Sequence, residues 1–230
     1  MSSKTILLSA AALLVTCAAA AMTPSWIRYN SISPDDKTLA FSYKGDIWTV
    51  PSTGGEATQI TSNQAYDSEP LWTRDSQNII FTSQREGSKD IYLTSISGGV
   101  PKRLTDLPGN ETPLAVLEDG SILFSWYNGS VESESYGDFP GTAQLYRTDI
   151  SGSAPSLVTS LPIMAMSVNS DGSVIYEDYK GYEDPLRKHH TSSVTRDIWS
   201  YTPAAGEKGI SSQGSFTKLS DYRGEDRNPV

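Results

Sequence analysis

The sequence predicts an all-β chain, a β-propeller in which four four-stranded antiparallel blades are visible. Three observations carry this. The apolar runs are short, and each is closed by Asp, Gly, Ser or Pro, which suits strands joined by tight turns and leaves no run long enough for a helix. The runs come in sets of four. The sets recur with a period near 40: Asp35 returns 40 residues later as Asp75, and Phe41, Trp48, Gly54-Gly55 and Thr61 return as Phe81, Tyr92, Gly98-Gly99 and Thr105. Four strands per unit at that period is the blade signature.

The chain opens with a targeting segment. Lys4 supplies a positive start, Ile6 to Val15 an apolar centre and Ala18 to Ala21 a small-residue cleavage zone. Residues 1–21 therefore read as a secretory signal, too short and alanine-rich to span a membrane. The expected location is the periplasm or cell envelope. A lipid anchor at Cys17 is the alternative, against which Thr16 speaks. Cys17 is the only cysteine, so disulfides and cysteine metal sites are excluded.

The first blade spans about 24–61: Trp26 to Ile32, the turn Ser33-Pro34-Asp35-Asp36-Lys37, then Thr38 to Ser42, Asp46 to Val50 and Gln59 to Thr61. The second, about 69–105, is the regular member: Glu69 to Thr73, Asn78 to Ser83, Asp90 to Leu93, and Arg103 to Thr105. The third (about 112–159) and fourth (about 164–220) have first turns one residue tighter, using Asp119-Gly120 and Asp171-Gly172, a dipeptide that accepts positive φ. The first strand of each unit is expected nearest the axis. The aromatic at Phe41, Phe81, Phe124 or Tyr176 ends the second strand and that at Trp48, Tyr92, Tyr146 or Trp199 lies in the third, all packing between neighbouring sheets.

Extra length in the third and fourth units falls between their second and third strands, roughly 125–143 and 178–195. In an up-down-up-down blade that connection emerges on the same side as the blade-to-blade connections. One face therefore carries both insertions, and loops on a rigid scaffold are the usual place for function. At the far end, Glu225 to Pro229 aligns with Ser68-Glu69-Pro70 and its approach, so a fifth blade is expected to start at 228–230. The visible blades then form an arc of a larger propeller.

With 37% hydrophobic and 20% charged residues the composition is that of a globular protein, and the net charge of -9 excludes a nucleic-acid partner. His189 and His190 are the only histidines, adjacent residues of an extended segment point to opposite sides, and no Gly-x-Ser-x-Gly elbow occurs. No catalytic residue, metal site or cofactor is assigned. The candidate binding cluster is Arg187, Lys188, His189 and His190 with Arg196, flanked by Glu183 and Asp184. Such a cluster either pairs internally to fix its loop, or docks another domain or a peptide carboxylate through the planar arginine fork. Asp67, Glu69, Asp106, Glu111, Glu225 and Asp226 in the blade-to-blade connections, with Glu132, Glu134 and Asp138 in the first insertion, read as a solvated acidic rim.

Ser33 to Ser42, Asp46-Ile47-Trp48, Asp90-Ile91-Tyr92, the Gly-Gly pairs and Arg103-Leu104-Thr105 resemble TolB-type propeller repeats. Phe41 to Pro51, and above all Lys180 to Trp199, resemble the N-terminal propeller of exported bacterial tricorn-type serine peptidases. The resemblance implies a parent that cleaves peptides or unfolded proteins in the envelope. Its propeller would guide or filter substrate, or dock downstream PDZ and C-terminal-processing-type protease domains, and none of the family's catalytic residues falls in this chain. The alternatives are a TolB-like periplasmic scaffold that binds proteins and the propeller of a prolyl-oligopeptidase-type enzyme.

Overall fold

In each unit the first hairpin is set by its turn. The Ser33 hydroxyl donates to Asp35 Oδ1 at 2.6 Å and the Lys37 amide to the same oxygen at 3.2 Å; Thr73, Gln77 and Asp75 repeat this at 2.6 and 2.9 Å. These local bonds replace the ladder bonds a turn gives up, and they hold both aspartates below the usual carboxylate range, the hydroxyl contributing most. Asp119 and Asp171 accept from the Ser121 and Ser173 amides instead, with Gly120 and Gly172 at φ 79° and 82°. The closing bond runs from Ser33 N to Thr38 O in the first unit but from Leu117 N to Ser121 O in the third. The third turn is thus one residue shorter, as its Asp-Gly predicts.

The computed structural model describes residues 26–127, 143–179, 194–206, 210 and 213–229, and every regular element among them is a strand. Residues 1–21 with Cys17, which the sequence suggests are a secretory signal, lie outside them. Blade one holds β1 (Arg28–Ile32), β2 (Thr38–Tyr43), β3 (Asp46–Pro51) and β4 (Thr58–Gln59), and blade two β5 (Asp67–Trp72), β6 (Asn78–Ser83), β7 (Asp90–Ser95) and β8 (Lys102–Arg103). Blade three holds β9 (Asn110–Val116), β10 (Ser121–Tyr127), β11 (Ala143–Asp149) and β12 (Ser156–Thr159). Blade four holds β13 (Ile163–Val168), β14 (Val174–Asp178), β15 (Ile198–Thr202) and β16 (Ser215–Lys218). Each is one antiparallel meander in chain order. β10 runs to Tyr127, so the residues from Ser125 that were read as insertion are still strand.

The repeated aromatics are cross-strand partners: Phe41 opposite Trp48, Phe81 opposite Tyr92, Phe124 opposite Tyr146 and Tyr176 opposite Trp199. They lie within their second strands, not at the ends. Directly opposed aromatics form pairs inside one sheet, and the pair then faces the preceding blade. Phe81 and Tyr92 join Trp72 and Ile79 against Ala40 and Ile47 of blade one. Phe124 packs with Ile80, Ile91 and Leu104 of blade two, and Tyr176 with Leu123 and Leu145 of blade three. The core is therefore three inter-blade layers. The first strands, β1, β5, β9 and β13, touch in succession and lie innermost.

A second repeated device joins the outer strand to the third. The amides of Ile47, Ile91 and Ile198 donate to the hydroxyls of Thr61, Thr105 and Ser220 at 2.9, 2.9 and 3.0 Å. Beside each amide an aspartate grips the outer strand: Asp46 accepts from Gln59 (3.0 Å), and Asp90 and Asp197 pair with Arg103 and Lys218 (both 2.9 Å). This is why Asp-Ile-aromatic and a late Thr or Ser recur together. Thr61→Val keeps the shape but leaves the buried Ile47 amide without its acceptor. The expected loss is about 1–3 kcal/mol in urea unfolding, and Thr105→Val costs more because Thr105 also donates to Glu111.

Candidate functional site

The blade-to-blade connections and the links from second to third strands emerge at one end of the array, as the meander requires. There the described residues enclose a cleft of about 370 Å³ built by three blades. Blade two contributes Glu69 and Lys89, blade three Asn110, Thr112, Ser125 and Tyr127, and blade four Met164, Tyr179 and Arg196. Tyr127 stands where the first long insertion leaves β10 and Tyr179 follows the last residue of β14, so the bases of both insertions share this face.

Glu69 sits in a bulge. Ser68 pairs with Thr82 and Leu71 with Ile80, so Glu69 and Pro70 together interrupt the register of β5. Its φ is 58°, left-handed space that costs a side-chain-bearing residue about 1–2 kcal/mol. The strained backbone presents its carboxylate to the Thr82 hydroxyl (2.9 Å) and to Lys89 Nζ (3.7 Å). On the opposite wall Arg196 is paired to the buried Glu177, lies 4.0 Å from Glu225 and stacks 5.1 Å above the Tyr179 ring. The other oxygen of Glu177 accepts the Asn228 amide at 2.9 Å. Each cation of the cleft therefore has a carboxylate partner.

The acidic-rim reading needs correction. Asp67 and Glu111 are 0% exposed and are structural. Arg85 gives one nitrogen to both Asp67 oxygens, at 3.1 and 3.0 Å, while its guanidinium lies 4.6 Å over Tyr92. Glu111 accepts from the Thr105 hydroxyl and from the Leu107 amide at 2.8 Å, closing the connection between blades two and three. Burial pushes its carboxyl up to about 7 and the Asp90 charge adds to this, opposed by the Thr105 and Leu107 bonds and by Arg103. Asp106 is exposed, as a rim residue should be, and Glu225 half-buried. Glu132, Glu134 and Asp138 lie outside the described residues.

Of the predicted binding cluster, Arg196 is in the cleft wall and internally paired. Glu183, Asp184, Arg187, Lys188, His189 and His190 lie outside the described residues. Among the described residues no three His, Cys, Asp or Glu side chains come together as a metal set, and no helix is long and apolar enough to cross a membrane. Sequence reasoning missed Lys89, Asn110, Thr112, Tyr127, Met164 and Tyr179 as one site. Their common signal is register: each flanks the same end of a first, second or third strand.

The tricorn protease N-terminal β-propeller domain model matches residues 24–230. Tricorn protease homolog 1 of Streptomyces coelicolor is 28% identical over 101 residues, covering 44% of this chain and 9% of that protein. The uncharacterized peptidase YuxL of Bacillus subtilis is 33% identical over 105 residues, covering 45% and 16%. The matched stretch is thus less than a fifth of either relative. The crystal structure of the tricorn protease superposes with a TM-score of 0.67 at 18% identity over 90% of this chain and 19% of that one, a likeness of fold.

Burial at Glu111 makes stability depend on pH. Its folded value lies above the ordinary 4.5, so protonation favours the fold, and the contribution is present below that value and lost as pH rises towards about 7. Glu111→Gln removes the charge; its amide oxygen can still accept from the Leu107 amide, while its nitrogen donates to Thr105 Oγ1 in a reversed bond. Relative to this variant the wild type is expected to lose about 3 kcal/mol between pH 4.5 and 8. Denaturant unfolding across that range tests it, and a constant difference refutes it.

Proposed function

Because the chain belongs to the family of tricorn protease N-terminal β-propeller domains, we propose that it is the non-catalytic propeller of an exported serine peptidase and that its insertion-bearing face receives peptide or unfolded-protein substrate. The observation that carries this is the cleft formed jointly by blades two, three and four on the face where both insertions are rooted. Its walls mix paired charges, hydroxyls, an amide and two tyrosines, which suits a polypeptide more than a small anion. The supports are rigid, since each cleft residue is held at a strand end by the inter-blade layers beneath it.

In the sequence, the segment with Glu183, Asp184, Arg187, Lys188, His189 and His190 runs between Tyr179 and Arg196, both cleft residues. We assign it the second task, docking the PDZ and protease domains that the family places downstream, through charge pairs that salt weakens. The expected outcome is reversible binding of a reduced, unfolded protein, read by calorimetry, with no fragments released in mass spectrometry. Cleavage by the isolated chain, or failure to bind any unfolded protein, overturns the proposal.

A further inference from the structure

Resting on that polypeptide-receiving role, we propose that the cleft recognises an uncharged internal stretch of extended chain bearing one aromatic or aliphatic side chain, and not a chain terminus. Among the described residues the cleft's charges are already paired. Lys89 faces Glu69 at 3.7 Å, and Arg196 is held by Glu177 and Glu225. A ligand carboxylate would have to compete with Glu69 for Lys89 and with Glu177 and Glu225 for Arg196, and a ligand ammonium would meet Lys89 and Arg196. Both charged ends of a peptide are disfavoured together.

Glu69 has a second anchor, since its other carboxylate oxygen accepts from the Thr82 hydroxyl at 2.9 Å. Between the two ion pairs lie Asn110, Thr112 and Ser125, which offer donors and acceptors of the kind a peptide backbone needs. Tyr127 and Met164 add apolar surface for one side chain. A volume near 370 Å³ is at the small end of ligand clefts, roughly 300–1,000 Å³, and suits a short stretch of chain.

Calorimetry on the full chain tests this with four hexapeptides of glycine and serine around one central residue. One carries phenylalanine and has acetyl and amide ends; the second has the same residues with a free carboxylate; the third and fourth are capped and carry aspartate or lysine. The capped phenylalanine peptide is expected to bind, the free carboxylate to bring no gain, and aspartate or lysine to weaken binding at least tenfold. Thr112→Arg, which places an unpaired charge in the cleft, should weaken the capped peptide tenfold with an unchanged melting temperature. Glu69→Gln, which releases Lys89, should shift preference towards the free carboxylate. If the free-carboxylate form binds tenfold tighter to the unaltered chain, the cleft reads a terminus and this inference falls while the substrate-receiving role stands. If unfolded protein binds but Thr112→Arg leaves the capped peptide unaffected, the site lies elsewhere. If neither peptides nor unfolded protein bind the folded chain, both readings fall.

Discussion

A four-stranded sheet whose side chains are apolar on both faces has no stable existence alone, because each face must be taken out of water. Everything else in this chain follows from that demand. Equivalent positions show its strength. Trp72, against blade one, is 5% exposed, whereas Ile32 at the same register in blade one is 47% exposed on a face with no described blade beside it. Leu104, covered by blade three, is 5% exposed, and Leu219, its counterpart in blade four, 52%. Residue type alone does not bury these side chains; the neighbouring sheet does. Each fully buried side chain of this size contributes about 1.5–3 kcal/mol, so adjacent blades stabilise one another far more than any turn or ion pair does.

Stacking also dictates where polar groups go. Where both faces of a sheet are covered, as in blades two and three, only the two ends of the strands reach solvent, and the connections gather there. At the end bearing the cleft, the chain must pass from one blade's outer strand to the next blade's inner one. The Glu111 amide donates to Lys89 O (2.8 Å), the Asp67 amide to Gly45 O (2.8 Å) and the Asp226 amide to Arg196 O (3.1 Å). The acidic side chains at these crossings are drawn inward by that bond. Asp67 pairs with Arg85 there; Glu111 bonds a hydroxyl and an amide with no ion pair among the described residues, and its burial pushes the carboxyl up to about 7.

Much of this was legible from the residues. The hairpins follow from Asp-Gly and Ser-Pro-Asp turns, the four strands of each blade from short runs that recur with Phe41 and Trp48, and the shared face of the insertions' bases from meander topology. Other features have no local signature. Nothing in Glu-Thr-Pro distinguishes a solvated glutamate from one sealed under a connection, since its surroundings are supplied by Thr105 and Leu107 on the preceding crossing. The pairing of Asp67 with Arg85 spans 18 residues and needs the β5–β6 register to be seen. The left-handed backbone of Glu69 is equally silent, because bulges are set by how two strands fit and not by residue preference. Tyr29 and Asn228 share that conformation, at φ 51° and 54°, with three different side chains at the three positions.

That last comparison bears on the cleft. The bulge belongs to the scaffold, a means of bending the inner strand where it enters a blade, and its strain is compensated by the layers it helps to align. Its occupant is free to differ: a tyrosine in blade one, a glutamate in blade two, an asparagine beyond blade four. Only at Glu69 does the turned-out position carry a charge, and there it neutralises Lys89 across the cleft wall. The scaffold thus supplies a rigid outward-facing position at three inner-strand entries, Tyr29, Glu69 and Asn228, and the choice of residue sets the local electrostatics without disturbing the sheet. Such an arrangement separates fold from recognition, since the side chain at this position is one that no inter-blade layer depends on.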